Sequence, residues 1–141
     1  MIRTLLLALI MTIASADFSG DWTMKSASLG ESVVEVPPGA VTLTLILEAN
    51  GYKAAFKAGN HMLGGMIVED EISDVQASVH FTSFTSTRMM PPPQLRQAES
   101  FISKSMSLMT LVTINDDGDL EMEGPDVKAL FSPADGDQDN A

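Results

Sequence analysis

Val41-Thr42-Leu43-Thr44-Leu45-Ile46-Leu47-Glu48-Ala49-Asn50-Gly51-Tyr52-Lys53-Ala54-Ala55-Phe56-Lys57 is the stretch from which the fold is read. Val41, Leu43, Leu45 and Leu47 alternate with Thr42 and Thr44. That period of two is the pattern of a β-strand with one buried face. Asn50-Gly51 is the strongest short hairpin signal, and Tyr52–Lys57 supplies the return strand. The core of the chain is therefore antiparallel.

Working outward toward the C-terminus, Gly59-Asn60 and Gly64-Gly65 bracket an expected turn, and Met66-Ile67-Val68 is a short strand beyond it. Glu69-Asp70-Glu71 reads as a solvated, charged loop. Ala77–Phe84 is another strand, with Ala77, Val79, Phe81 and Ser83 on one face. Pro91-Pro92-Pro93 stops it and opens a helix, because proline is tolerated in a helix's first turn. Gln94–Met109 is predicted as that helix. Leu95, Ala98, Ile102, Met106 and Met109 recur at spacings of three and four and form one apolar stripe, widened by Phe101, Ser105 and Leu108. Arg96 and Glu99 lie on the other side, spaced to pair at i, i+3. Leu111–Ile114, Leu120–Glu123 and Val127–Phe131 are the closing strands, with a hairpin turn at Asp116–Asp119.

Toward the N-terminus, Asp17–Met24 is an entry turn and first strand, and Ser32–Val36 is a short strand between Gly30 and Pro37-Pro38-Gly39. Trp22, the only tryptophan, reads as a plug at one end of the core rather than a ligand contact. About eight short strands with one late helix define a mainly β, α+β chain. The expected architecture is an antiparallel curled sheet or open barrel with one helix packed against it.

The ends carry a different composition. Met1–Thr4 holds one positive charge, Leu5–Ile13 is an almost unbroken apolar run, and Ala14-Ser15-Ala16 has small residues at both key positions. That order is a secretory signal peptide over residues 1–16, and the apolar run is too short to span a membrane. The mature chain is expected to start at Asp17, to fold as one domain over 17–131 and to end in an acidic, disordered tail over 132–141. Export would lead to a periplasm, a secretory compartment or the medium.

Charge and cysteine content narrow the function. Nineteen acids face eight bases in 141 residues, for a net charge of −11. Removing residues 1–16 takes away Arg3 and no acid, so the mature chain stands at −12. Such a balance disfavours nucleic acid and anionic membrane surfaces as partners, and no stable membrane insertion is expected after cleavage. The absence of cysteine excludes disulfides, thiolate nucleophiles and cysteine metal sites. His61 and His80, the only histidines, fall in no metal-ligand spacing. The acidic clusters around Asp116–Glu123 and Asp135–Asp139 read as solvated acid, the first lacking a calcium loop's downstream glutamate, and a calcium-responsive protein is the weaker third reading. No nucleophile elbow or phosphate loop is present. The expectation is therefore no catalytic residue, no cofactor and no metal.

The order of several motifs resembles the META domain, or HslJ-like, family over about residues 20–131. Gly20-Asp21-Trp22 and Val41–Leu45 carry its start. Ala58-Gly59-Asn60 with Gly64 is similar to its glycine-cysteine-asparagine turn. Thr85-Ser86-Thr87-Arg88-Met89, followed by Glu99-Ser100-Phe101, is similar to its middle, and Leu120-Glu121-Met122 with Leu130-Phe131 to its end. The bacterial pattern often has cysteines in the asparagine turn and just after the Thr-Arg-Met stretch; neither is present here. The resemblance implies a compact, mostly antiparallel β fold with one helix; it does not imply an enzyme activity. Bacterial relatives are linked to heat shock and drug resistance at the cell envelope, and kinetoplastid relatives to virulence and secretion.

A non-enzymatic, exported, monomeric protein with a binding or envelope-stress role follows as the expectation. Asn60, Thr87, Arg88, Met89, Ile102 and Met106 are the candidate binding or structural residues. They would border a groove between the helix and the sheet, open to an unidentified protein partner. The alternative is a carrier with a small apolar ligand inside the barrel. An interior filled by Trp22, Phe56, Phe81 and Phe101 would leave it no room.

Overall fold

β3 (Thr42–Glu48) and β4 (Gly51–Ala58) form where the alternation predicts them, paired from Thr42 with Lys57 to Glu48 with Gly51. The computed structural model describes residues 16–87 and 89–134. Leu43 and Leu45 are buried, but Leu47 is 61% exposed, because the hairpin runs past the end of the core. The loop is Ala49-Asn50, one residue earlier than the Asn-Gly signal suggests. Gly51 instead opens β4, where its missing side chain serves a close approach. A Cβ there would collide with the backbone carbonyl of Met66.

The next element departs most from expectation. Residues 60–73 are one long strand, β5 (Asn60–Ser73), not a turn followed by a short strand and a loop. Gly64 and Gly65 pair with Ala54 and Lys53 inside the ladder. Gly64 is required there for a different reason than turning: an added Cβ would lie 2.9 Å from the ring of Phe84. Glu69, Asp70 and Glu71 are strand residues too, exposed at the outer end of β5, where bulges shift the register with β6 (Gln76–Phe81). The connection is Asp74-Val75, with the Ser73 hydroxyl oxygen accepting the Val75 N–H. β6 ends at Phe81, three residues short of the predicted strand, so Ser83 is exposed rather than on the buried face.

β1 (Gly20–Leu29) closes the structure. A bulge between Met24 and Ser26 bends it, as bulges do in barrels. Its first half pairs with β3 and its second half with β2 (Ser32–Val34), which stops two residues earlier than expected. Along its other edge runs β10 (Val127–Pro133). With β8 (Leu111–Ile114) and β9 (Leu120–Gly124), the ring is β1-β3-β4-β5-β6-β8-β9-β10 and back to β1. The sheet thus goes further than an open barrel and forms a closed, eight-stranded antiparallel barrel with a single helix against it. β7 (Thr85–Ser86) is a short addition on β5. Ser132 and Pro133, expected in the tail, pair with Thr23 and Trp22, and the Ala134 N–H donates to the Asp21 carbonyl. The expected signal peptide up to Ser15 and the expected tail from residue 135 lie outside the described residues.

The predicted helix is divided. Pro93–Leu95 and Met106–Leu108 are 3-10 turns flanking α1 (Arg96–Ser105). Its stripe is buried as predicted, including Leu95, Ala98, Phe101, Ile102, Ser105, Met106 and Met109, while Leu108 is 47% exposed. Trp22, Phe56, Phe81 and Phe101 are all buried in one core cluster with the helix stripe. Phe56, Phe81 and Phe84 add edge and stacked ring contacts at 5.5–6.2 Å. Trp22, Phe56, Phe81 and Phe101 are thus packed into the core, which counts against an internal apolar ligand.

Candidate functional site

The site is built around Asn60, the first residue of β5, which is only 2% exposed. A buried amide must find partners for two donors and two acceptor lone pairs. Asn60 finds all four. Its Nδ2 donates to the Met89 carbonyl at 2.7 Å and to Glu99 Oε2 at 2.7 Å. Its Oδ1 accepts the Met89 N–H at 3.0 Å and the Thr87 hydroxyl at 2.9 Å. Thr87 Oγ1 also accepts the His61 N–H, and the Thr87 N–H donates to the His61 carbonyl. One side chain therefore holds both peptide groups of Met89, the β7 extension and the helix.

The sequence singles out Asn60, Thr87 and Met89, and the structure brings these three together. Arg88 lies outside the described residues. Ile102 and Met106 are brought elsewhere: both are fully buried against the barrel, so they fill the expected groove instead of lining it. The i, i+3 spacing of Arg96 and Glu99 allows an ion pair, but none forms among the described residues, and the Glu99 carboxylate turns to Asn60. Its spacing held the clue. Glu99 is four residues after Leu95 and three before Ile102, at the flank of the buried stripe. A carboxylate at that flank, half-buried, needs a donor.

Outside the clamp, Phe84, Thr85, Ser86, Met89, Met90 and Glu99 line a cleft of about 710 Å3 that is open to solvent. Met89 and Met90 are 64% and 80% exposed. Next to Met90 stand the three prolines, whose rings fix the backbone into the first 3-10 turn.

His61 is exposed on β5 opposite Lys57 rather than in a turn. His80 Nδ1 lies 2.6 Å from Glu69 Oε2 on the outer surface of the β5–β6 pair. No group of three His, Asp or Glu side chains converges as a metal site among the described residues. At the Asp116–Asp119 turn, Asn115 organises the backbone: its Oδ1 accepts the N–H groups of Asp117 and Asp119.

The opposite end of the β4–β5 pair anchors the start of the domain. Phe18 is buried, its N–H donates to the Tyr52 hydroxyl oxygen at 2.9 Å, and its carbonyl accepts Trp22 Nε1 at 3.1 Å. Burial pushes the Tyr52 phenol above its ordinary value, opposed by the Phe18 N–H and assisted by the charges of Asp17 and Glu71. Asp17 is held below the usual carboxylate value by the Ser19 hydroxyl and N–H that it accepts.

The sequence pattern of the META domain matches residues 16–135, from the Phe18 anchor through the barrel-closing strand. The chain belongs to the META domain family. A protein from Burkholderia xenovorans, solved by NMR, superposes with a TM-score of 0.60 at 17% identity, covering 81% of each chain. That likeness extends to the fold. No curated protein matches the sequence. Within this META domain, the Asn60 clamp joins two of the segments that carry the family resemblance, the one around Asn60 and the Thr85–Met89 stretch.

Proposed function

We propose that this META-domain protein is exported and non-enzymatic, that it acts at or beyond the cell envelope in a stress- or secretion-related role, and that it binds a protein partner through the Met89–Met90 segment. One observation carries the reading. A buried, fully satisfied asparagine fixes the backbone of Met89, and Met89 and the neighbouring Met90 stand exposed at the cleft on a chain whose other described methionines are buried. Methionine is an adaptable apolar contact residue and is over-used on binding surfaces. A preformed apolar pair lowers the ordering cost of association.

The test compares wild type with Met89→Glu/Met90→Glu as bait in extracts of the compartment where the protein resides. The expected result is a set of partners captured by wild type and lost by the variant, with the variant's circular dichroism and Tm unchanged. Capture of the same partners by the folded variant would falsify this surface. The export half of the reading is tested separately. N-terminal sequencing of protein recovered from outside the cytosol should begin at Asp17; a chain that still starts at Met1 overturns it.

A further inference from the structure

We infer that Met89 and Met90 form a reversible oxidation site, the point at which this domain responds to peroxide or hypochlorous acid. With no cysteine in the chain, the only sulfur it offers an oxidant is thioether. Eight methionines are described, and they divide sharply. Met24, Met62, Met66, Met106, Met109 and Met122 are at most 1% exposed, while Met89 is 64% and Met90 80% exposed. Thioether oxidation follows access to the sulfur. The six core sulfurs react only when the barrel opens, whereas the exposed pair reacts from the native state. The exposure is built in: the clamp on both peptide groups of Met89 and the prolines from Pro91 onward prevent the segment from turning inward.

The chemistry balances at each sulfur. The thioether sulfur attacks one peroxide oxygen, the O–O bond breaks, and an S–O bond forms. Sulfur is oxidised by two electrons, and the peroxide is reduced and leaves as water. With hypochlorous acid the leaving products are chloride and a proton. A dithiol-dependent sulfoxide reductase reverses the step, releasing water and a disulfide. The product exchanges an apolar side chain for a polar one. Because both sulfurs lie outside the core, the barrel tolerates the change. The consequence for partner capture rests on the recognition surface proposed above.

Limited peroxide treatment of the folded protein, followed by peptide mass mapping, tests the site directly. Sulfoxide at Met89 and Met90 is expected to form at least about tenfold faster than at any of the six core methionines, with circular dichroism unchanged. In denaturant the difference should vanish. The shape-preserving variant Met89→Leu/Met90→Leu should lose the fast phase. Uniform oxidation across all eight methionines in the native protein overturns the proposal, as does a pair that stays unmodified while free methionine is consumed. Selective oxidation that leaves capture unchanged keeps the oxidation site and overturns its link to recognition. Capture that is lost in the glutamate variant with no selective oxidation keeps the recognition surface and overturns the oxidation site.

Discussion

At the residue scale, Asn60 bears more of the fold than any charged group. Its amide joins four polar groups, on Thr87 and Met89 of one segment and on Glu99 of the helix. Asn60→Ala should destabilise the domain by about 2–4 kcal/mol, since buried polar groups left unpaired cost about 1–3 kcal/mol each and part of the segment can rehydrate. Urea unfolding measures it. Asn60→Asp should be no milder: it keeps the acceptor and loses the donor, and it sets a second carboxylate against Glu99. Tyr52 gives a second expectation, concerning pH. Its folded-state pKa is raised, first by burial. The native state therefore holds the phenolic proton after the unfolded state has lost it, so this contribution to stability is whole below the ordinary value near 10 and declines as pH rises above it. Tyr52 is the only tyrosine, so the ultraviolet absorbance of its phenolate reports it alone. Its midpoint should lie above that of the denatured chain, and Tyr52→Phe should flatten the alkaline loss of Tm.

At the scale of elements, helix α1 and strand β5 mark what was and was not legible in the sequence. The helix stripe was legible because Leu95, Ala98, Ile102, Met106 and Met109 repeat at the helical period, and all of them are buried. Its meaning was less so. A buried stripe and an exposed groove share one sequence pattern, and only packing decides between them. Ile102→Ala should therefore cost stability, about 2–5 kcal/mol by thermal or chemical unfolding. Lys104→Ala, exposed on the same helix, should stay within about 0.5 kcal/mol. β5 is hidden in the sequence because glycine is the usual mark of a turn. Gly64 is instead a gap in a strand into which the Phe84 ring fits, and nothing local in the sequence connects residues twenty apart. The same limit applied to the clamp. Asn60, Thr87 and Met89 were legible through the family resemblance, but the hydrogen bond from Asn60 to Glu99 spans 39 positions and belongs to the tertiary fold.

At the scale of the whole molecule, the two ends of the domain meet. β1 and β10 close the barrel, so the ring of eight strands has no free edge where first and last would stand apart. Closure also gathers the charge. The whole chain carries a net charge of −11, and His80 with Glu69 is the single contact between an acidic and a basic side chain within 4 Å among the described residues. Acids such as Glu69, Asp70 and Glu71 lie on one exposed strand end, and folding confines the domain's excess negative charge to a smaller volume than an expanded chain does, which raises its self-repulsion. Salt should therefore stabilise the fold. Moving from low to physiological ionic strength shortens the screening length to about 8 Å and should add roughly 1 kcal/mol, or about 4 °C in Tm for a domain of this size. Calorimetry in sodium chloride measures it. A Tm that falls with salt would mean that attractive pairs outweigh the repulsion, against the charge distribution that the closed barrel presents.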